Sequence, residues 1–153
     1  MMLDLYKGKV VGFTCGAFDL MHAGHILMFE EAAQQCDFLI VGLQTDPTID
    51  RPTKNKPVES VTERYIKVCA VRYVDQVIPY ATEEDLLSLI QLHPIDVRIL
   101  GADYRGKPFT GDAYCEQNNI RIHYNSRSHE FSSSDMRTRV HRAVEFTKHP
   151  SSL

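Results

Sequence analysis

The segment FLIVGL over residues 38–43 constrains the fold most, because it contains no polar side chain. A strand without a polar face must be covered on both sides, which is typical of the interior of a parallel sheet. The rest of the chain fits such a sheet, since strand-like and helix-like segments take turns along it.

This alternation predicts an α/β fold. Strands are predicted over residues 9–15, 38–43, 76–79, 96–100 and 120–124. Helices are predicted from near residue 25 to residue 36, and over 62–72, 83–92, 111–118 and 132–147. Each crossover is right-handed and returns over one face of the sheet, so the order predicts a Rossmann-like, doubly wound parallel sheet of five strands. We expect residues 1–153 to form a single domain, with a core over about 9–147 and a flexible tail over 148–153.

Composition excludes several classes of function. The chain has 153 residues, 43% of them hydrophobic, and a formal charge of −3, with no block of basic residues. We therefore expect neither nucleic acid nor an anionic membrane as the main partner. The first residues lack a signal-peptide core and no stretch reaches the roughly 20 apolar residues that span a bilayer, so we expect a cytoplasmic protein. The four cysteines are widely spaced and are predicted to be buried as small apolar residues.

The turn after the first strand, GAFDLMHAGH over residues 16–25, is the candidate ligand site. Ligands of doubly wound sheets gather at the carboxyl ends of the strands. Gly16 lets the backbone approach a ligand, and the following helix turns its free N–H groups toward an anion. His22 and His25 lie three residues apart, so their rings can point the same way and donate to phosphate oxygens. Zinc is the alternative, but the pair supplies only two ligands and no further cluster clearly completes a set.

The pattern G-x-F-D-x-x-H-x-G-H resembles the signature of the small cytidylyltransferases, members of a nucleotidyltransferase superfamily. Three later segments match the same family in order: RYVDQVI from Arg72 to Ile78, LGADY from Leu100 to Tyr104, and RSHEFSSS from Arg127 to Ser134. The resemblance runs from about residue 9 to 137. The glycerol-3-phosphate cytidylyltransferases are the most similar members.

The resemblance implies an enzyme that joins a cytidylyl group from CTP to a phosphate monoester and releases pyrophosphate. It implies His22, His25 and Arg127 as catalytic residues and Lys54, Arg64 and Arg72 as contacts of the acceptor. The nucleotide contacts that it implies are Gly16, Ala17, Phe18, Asp19, Gly24, Lys56, Asp103, Ser128, Ser132 and Ser133. Mg²⁺ is expected on the triphosphate rather than on protein side chains. A homodimer is also expected, and Arg72 is as well placed for the dimer contact as for the acceptor.

Two local features allow a purely structural interpretation. Ser132–Ser134 form a good N-cap sequence for the last helix, and an N-cap alone explains them. The acidic stretch Glu83–Asp85 is likewise explained by a helix N-terminus, because carboxylates interact favourably with that end of the helix dipole. Glycerol-phosphate members tend to carry a lysine near that point, so the acids also suggest a different acceptor. An extra loop over Arg105–Gly111 fits the same hypothesis.

Two alternatives to a cytidylyltransferase stay open. The first is an adenylyltransferase of the same superfamily that uses ATP, of the heptose 1-phosphate or flavin mononucleotide type. The second is a nucleotide-binding module without catalysis, since a fold does not by itself fix a function.

Overall fold

A computed structural model describes residues 4–148. Five strands alternate with five helices: β1 Val11–Gly16, α1 Ala23–Ala33, β2 Phe38–Gln44, α2 Val61–Cys69, β3 Gln76–Tyr80, α3 Glu83–Leu92, β4 Val97–Gly101, α4 Asp112–Gln117, β5 Arg121–Asn125 and α5 Ser133–Lys148. A short 3₁₀ turn over Ala102–Tyr104 follows β4. Residues 149–153, the rest of the predicted tail, lie outside the described part.

The strands form one parallel sheet in the order β3-β2-β1-β4-β5. The predicted Rossmann-like architecture is therefore confirmed. β1 lies at the centre, and the direction in which strands are added reverses between β1 and β4. Ligands bind at this reversal in doubly wound sheets, and the turn over residues 17–22 begins there.

Two hydrophobic layers cover the sheet. On one face, Phe29 of α1 and Val68 of α2 pack with sheet residues that include Val41 and Ile99. On the other face, Leu86 and Ile90 of α3 pack with Phe13 and Ile40. Phe38–Gln44 is buried along its whole length, which explains why β2 carries no polar alternation.

The four cysteines are free thiols. Cys115 is buried and Cys15 and Cys36 are half-buried, but Cys69 is exposed, so the prediction of buried cysteines is wrong for Cys69. Between residues 4 and 148, no helix combines the length and the apolar character that crossing a bilayer requires.

Candidate active site

The two histidines of the turn hold each other in place. His22 is the N-cap of α1, and its Nδ1 accepts a hydrogen bond from the Gly24 N–H at 3.0 Å. Nδ1 of His25 accepts from the His22 N–H at 3.2 Å, which completes a reciprocal capping box. Because Nδ1 is an acceptor in both rings, the proton of each neutral ring is on Nε2. Each histidine thus uses one nitrogen for the backbone and keeps an N–H donor for a ligand.

Both rings are kept neutral near pH 7. Burial lowers the pKa of His25 from 6.5 to about 4, and the neighbouring His22 ring, 4.1 Å away between centroids, adds to this effect. Burial also lowers the pKa of His22, with help from the nearby His129 and Arg127. The pair can therefore meet a ligand as neutral hydrogen-bond donors and not as fixed positive charges.

The residues around the histidines explain the rest of the motif. A Cβ atom on Gly24 would stand 2.8 Å from Cε1 of His22 and 2.7 Å from Cε1 of His129, so only glycine fits between the rings. Phe18 is buried and packs edge-on against His25, with ring centroids 5.7 Å apart. The sequence suggested that Phe18 contacts the nucleotide, but its ring is buried and packs against the His25 ring.

The opposite wall is the loop between β5 and α5. The Ser126 N–H and hydroxyl both donate to the Glu31 carboxylate on α1, which fixes the start of this loop. Burial opposes ionisation of Glu31, yet the hydrogen bonds from Ser126 and His123 outweigh it and lower the pKa of this carboxyl. Arg127 follows directly and is exposed at the edge of the site.

The serine run caps α5 and also faces the site. The Ser132 hydroxyl accepts from the Asp135 N–H at 3.0 Å, so the N-cap interpretation is confirmed for Ser132. Ser132 and Ser133 also line the same crevice as the histidines. Cap and anion cradle are compatible, because a helix N-terminus has more backbone N–H groups without an intrahelical partner than one side-chain cap satisfies.

Asp19 joins the two walls. Its carboxylate accepts from the N–H groups of Val58 and Glu59, at 3.0 and 2.9 Å, and from Arg137 of α5 at 2.9 Å. The Ser133 hydroxyl also donates to the Asp19 carbonyl at 3.4 Å. Burial acts to raise the pKa of Asp19, but these hydrogen bonds and the Arg137 charge outweigh it and lower the pKa. Asp19 therefore anchors α5, whereas the sequence suggested a nucleotide contact.

A crevice of about 370 Å³ opens between the two walls. Its lining brings together several residues that the sequence predicts for the nucleotide: His22, Gly24, His25, Asp103, Arg127, Ser132 and Ser133. Three further polar residues of the lining were missed: Asn125, Ser126 and His129. Asn125, only 4% exposed, has an amide nitrogen and oxygen without a partner, and Nδ1 of His129 is also unpartnered. Asn125 is the last residue of β5, and a polar residue at a strand's carboxyl end was the available signal.

Arg64 does not face the crevice. It is 1% exposed, and its guanidinium donates to four backbone carbonyls, those of Ala17, Gln44, Thr45 and Glu59. These bonds tie the end of β2 to the histidine turn and use the donors that an acceptor would need. The expected acceptor contact of Arg64 is therefore replaced by a structural role, and the Ala17 carbonyl is occupied by the same guanidinium.

Arg72 lies at the other end of the molecule. It precedes β3, so it stands at the amino ends of the parallel strands, whereas the crevice is at their carboxyl ends. Its guanidinium donates to the Tyr73 hydroxyl at 2.9 Å, and that hydroxyl donates to Glu30. This position does not suit an acceptor contact.

The remaining predicted contacts do not line the crevice. Lys54 and Lys56 are exposed on the loop after β2, Ser128 is exposed beside Arg127, and none of these three is among the described lining residues. Gly16 lines a second cavity on the other side of β1. Phe109 and Thr110, from the loop predicted to cover the site, line this second cavity together with Glu83.

Comparison with known proteins gives a consistent result. The model of the cytidylyltransferase-like family matches residues 13–139. The bifunctional protein HldE of Gluconacetobacter diazotrophicus is 37% identical over 117 residues, which are 76% of this chain and 24% of that protein. HldE of Caulobacter sp. is 40% identical over 108 residues, which are 69% of this chain and 22% of that protein. The chain thus spans about a quarter of the length of these relatives.

A solved structure supports the fold. The lipopolysaccharide core biosynthesis protein from Thermoplasma volcanium superposes with a TM-score of 0.67 at 24% identity. The superposition covers 80% of this chain and 100% of that one. At this identity the likeness concerns the fold alone. The family match extends over most of the chain and includes both walls of the crevice, so the chain belongs to the cytidylyltransferase-like family.

Proposed function

We propose that the protein is a nucleotidyltransferase that joins a nucleotidyl group from a nucleoside triphosphate to a phosphate monoester. The observation that carries this proposal is the mutually capped histidine pair. Its two Nε2–H groups are left for a ligand in a crevice whose other wall is Arg127 and the first turn of α5. A triphosphate is an anion that both walls can hold at once.

The reaction needs no nucleophilic side chain. An oxygen of the acceptor phosphate attacks the α-phosphorus and forms a new P–O bond. The bond between the α-phosphorus and the bridging oxygen breaks, and pyrophosphate leaves with the electron pair. The acceptor phosphate is already ionised near pH 7, so positioning and charge stabilisation are the protein's tasks. His22 and His25 donate to the charge that develops on the α-phosphate, and Arg127 holds the pyrophosphate part.

We infer that ATP is the donor and that the acceptor is a sugar 1-phosphate of the heptose type. The resemblance seen in the sequence favoured CTP and glycerol 3-phosphate, but the similarity to HldE proteins favours the adenylyltransferase alternative. The unpartnered amide of Asn125 provides an acceptor and two donors, which suit the amino group and ring nitrogen of adenine. The same amide also fits cytosine, so the choice between ATP and CTP rests on the similarity.

Two further expectations are kept as proposals. Mg²⁺ neutralises triphosphate charge in reactions of this class. Within residues 4–148, no group of three or more His, Cys, Asp or Glu side chains could hold a metal, so the ion would arrive on the phosphates of the substrate. The homodimer would use the exposed Arg72 end of the sheet, and sedimentation of the purified protein tests it.

Pyrophosphate release tests the function. We expect release with ATP, Mg²⁺ and a sugar 1-phosphate, and little release with CTP. The His22→Asn variant keeps an N-cap side chain for α1 but lacks the Nε2–H donor, so its turnover should fall about 100- to 1000-fold with little change in stability. The exposed His141→Asn is the matched control. Unchanged turnover in His22→Asn would refute the assigned role, and release with CTP alone would restore the cytidylyltransferase interpretation.

A further inference from the structure

A second cavity of about 110 Å³ lies beside the crevice, on the other side of the carboxyl end of β1. It shares the lining residue Gly101 with the crevice, so the two cavities adjoin at the carboxyl end of β4. The volume is several times the roughly 10–15 Å³ that one water molecule requires. The cavity is therefore large enough for part of an acceptor.

Arg98 of β4 lines this cavity and lacks a counter-charge. The residue is 2% exposed, and its guanidinium carbon stands 5.0 Å from the centre of the Phe13 ring. Nη2 donates to Sγ of Cys15 at 3.3 Å, but Nε and Nη1 are buried without a partner. Among the described residues, no carboxylate forms an ion pair with Arg98. The fold thus buries a guanidinium that no carboxylate among residues 4–148 pairs with, and an unpaired buried charge is costly.

The one carboxylate among the described lining residues of the cavity is already engaged. Glu83 forms an ion pair with Arg51, with 3.1 Å between Oε1 and Nη2, and also accepts from the Thr110 hydroxyl. Two guanidinium groups and one carboxylate thus line the cavity, which leaves one positive charge in excess. Burial raises the pKa of Tyr80 on the same wall, so its phenol stays neutral and does not cancel this charge.

We propose that Arg98 binds an oxyanion group of the acceptor, a carboxylate or a second phosphate, remote from the phosphate that reacts. The proposal rests on the proposed function and deepens it, because it assigns Arg98 as the residue that selects an acceptor with a second negative charge. Charge-assisted hydrogen bonds to a buried guanidinium favour such an acceptor over its neutral analogue by at least about tenfold.

The first test measures anion binding without any reaction. The thermal midpoint of the protein is followed in sodium formate, acetate, sulfate and phosphate against chloride at constant ionic strength, for the wild type and for Arg98→Met. We expect the midpoint of the wild type to rise with at least one oxyanion and Arg98→Met to lose that rise. Without added oxyanion, Arg98→Met should melt a few degrees above the wild type, because it removes an unpaired buried charge.

Arg121→Met is the matched control. It removes an exposed guanidinium at the amino end of the neighbouring strand β5, where it contacts Gln35. Its response to the four oxyanions should equal that of the wild type. The crevice also binds phosphate-like anions, so the comparison between the two proteins decides: a response to every oxyanion that is equal in Arg98→Met and in the wild type, or the absence of any response in the wild type, overturns the proposal whatever the protein's activity. Destabilisation of Arg98→Met in chloride also overturns it, since the guanidinium would then be a structural group.

The second test concerns the acceptor. Two matched pairs differ only by a carboxylate in place of a CH₂OH group: 3-phosphoglycerate with glycerol 3-phosphate, and glucuronic acid 1-phosphate with glucose 1-phosphate. We expect a higher kcat/KM for the acidic member of a pair, and no preference in Arg98→Met. Preference for the neutral member in both pairs refutes the acceptor assignment. If no acceptor supports pyrophosphate release, the proposed function fails and the acceptor assignment with it, while the anion measurement still decides the ligand of Arg98.

Discussion

Lowering the pH should weaken the fold through His25. Its pKa in the folded protein, about 4, is below the unfolded value of 6.5. As the pH falls below 6.5, the unfolded chain therefore binds the proton first, and stability that is complete above about pH 7 is lost down to about pH 4. At about 1.4 kcal/mol for each pKa unit, the loss from His25 alone is about 3 kcal/mol.

The assay is urea unfolding of the wild type and His25→Asn between pH 7.5 and pH 4. The asparagine side chain keeps a hydrogen-bond acceptor for the His22 N–H but does not titrate. As the pH falls, the free energy of unfolding of the wild type should therefore decrease by about 3 kcal/mol more than that of the variant. The lowered pKa values of Asp19 and Glu31 also cost stability as the pH falls. Both carboxyls are present in the wild type and in the variant, so their effect cancels in the comparison. Two curves that stay parallel within about 0.5 kcal/mol would refute the reasoning.

Three other substitutions test the geometry of the site. Gly24→Ala should displace the His22 ring and lower turnover by at least about tenfold, measured by pyrophosphate release, while CD spectra stay unchanged. Asp19→Asn weakens the contact with Arg137, so the free energy of unfolding should fall by roughly 1–3 kcal/mol in urea titrations, and proteolysis should cut α5 sooner. Arg64→Met leaves four carbonyls without their donor and should lower the thermal midpoint by several degrees, with a loss of roughly 3 kcal/mol or more.

The sequence predicted the sheet well because its strands have little alternative. The apolar run over 38–43 is one residue short of the observed β2, and the predicted strand over 96–100 is displaced from β4 by a single residue. Such runs can be buried only between two layers of helices, so local pattern and tertiary structure agree. The histidine pair was also predictable, since three-residue spacing at a helix start determines the direction of both rings.

The arginines were harder to predict for a physical reason. The sequence pattern places Arg64 as a charged residue on an amphipathic helix. Its partners are carbonyls from two separate loops, the turn after β1 and the connection between β2 and α2, which only the assembled fold brings together. Arg98 sits among apolar strand residues, and no local pattern tells which wall its side chain reaches. Asn125 was missed for the same reason, because its burial, at 4% exposed, is a property of the assembled fold that the local sequence does not show.

The attachment of α5 has a mechanical consequence. The helix is held at its first turn by Asp19, whereas every residue from 138 to 147 is exposed. The helix is therefore attached at its first turn and exposed to solvent along most of its length. A triphosphate bound across the crevice would add a second contact at the first turn of the helix. A small rotation there would displace the C-terminal end of the helix by a larger distance. A spectroscopic probe near Val144 would therefore report on triphosphate binding more than two helical turns away.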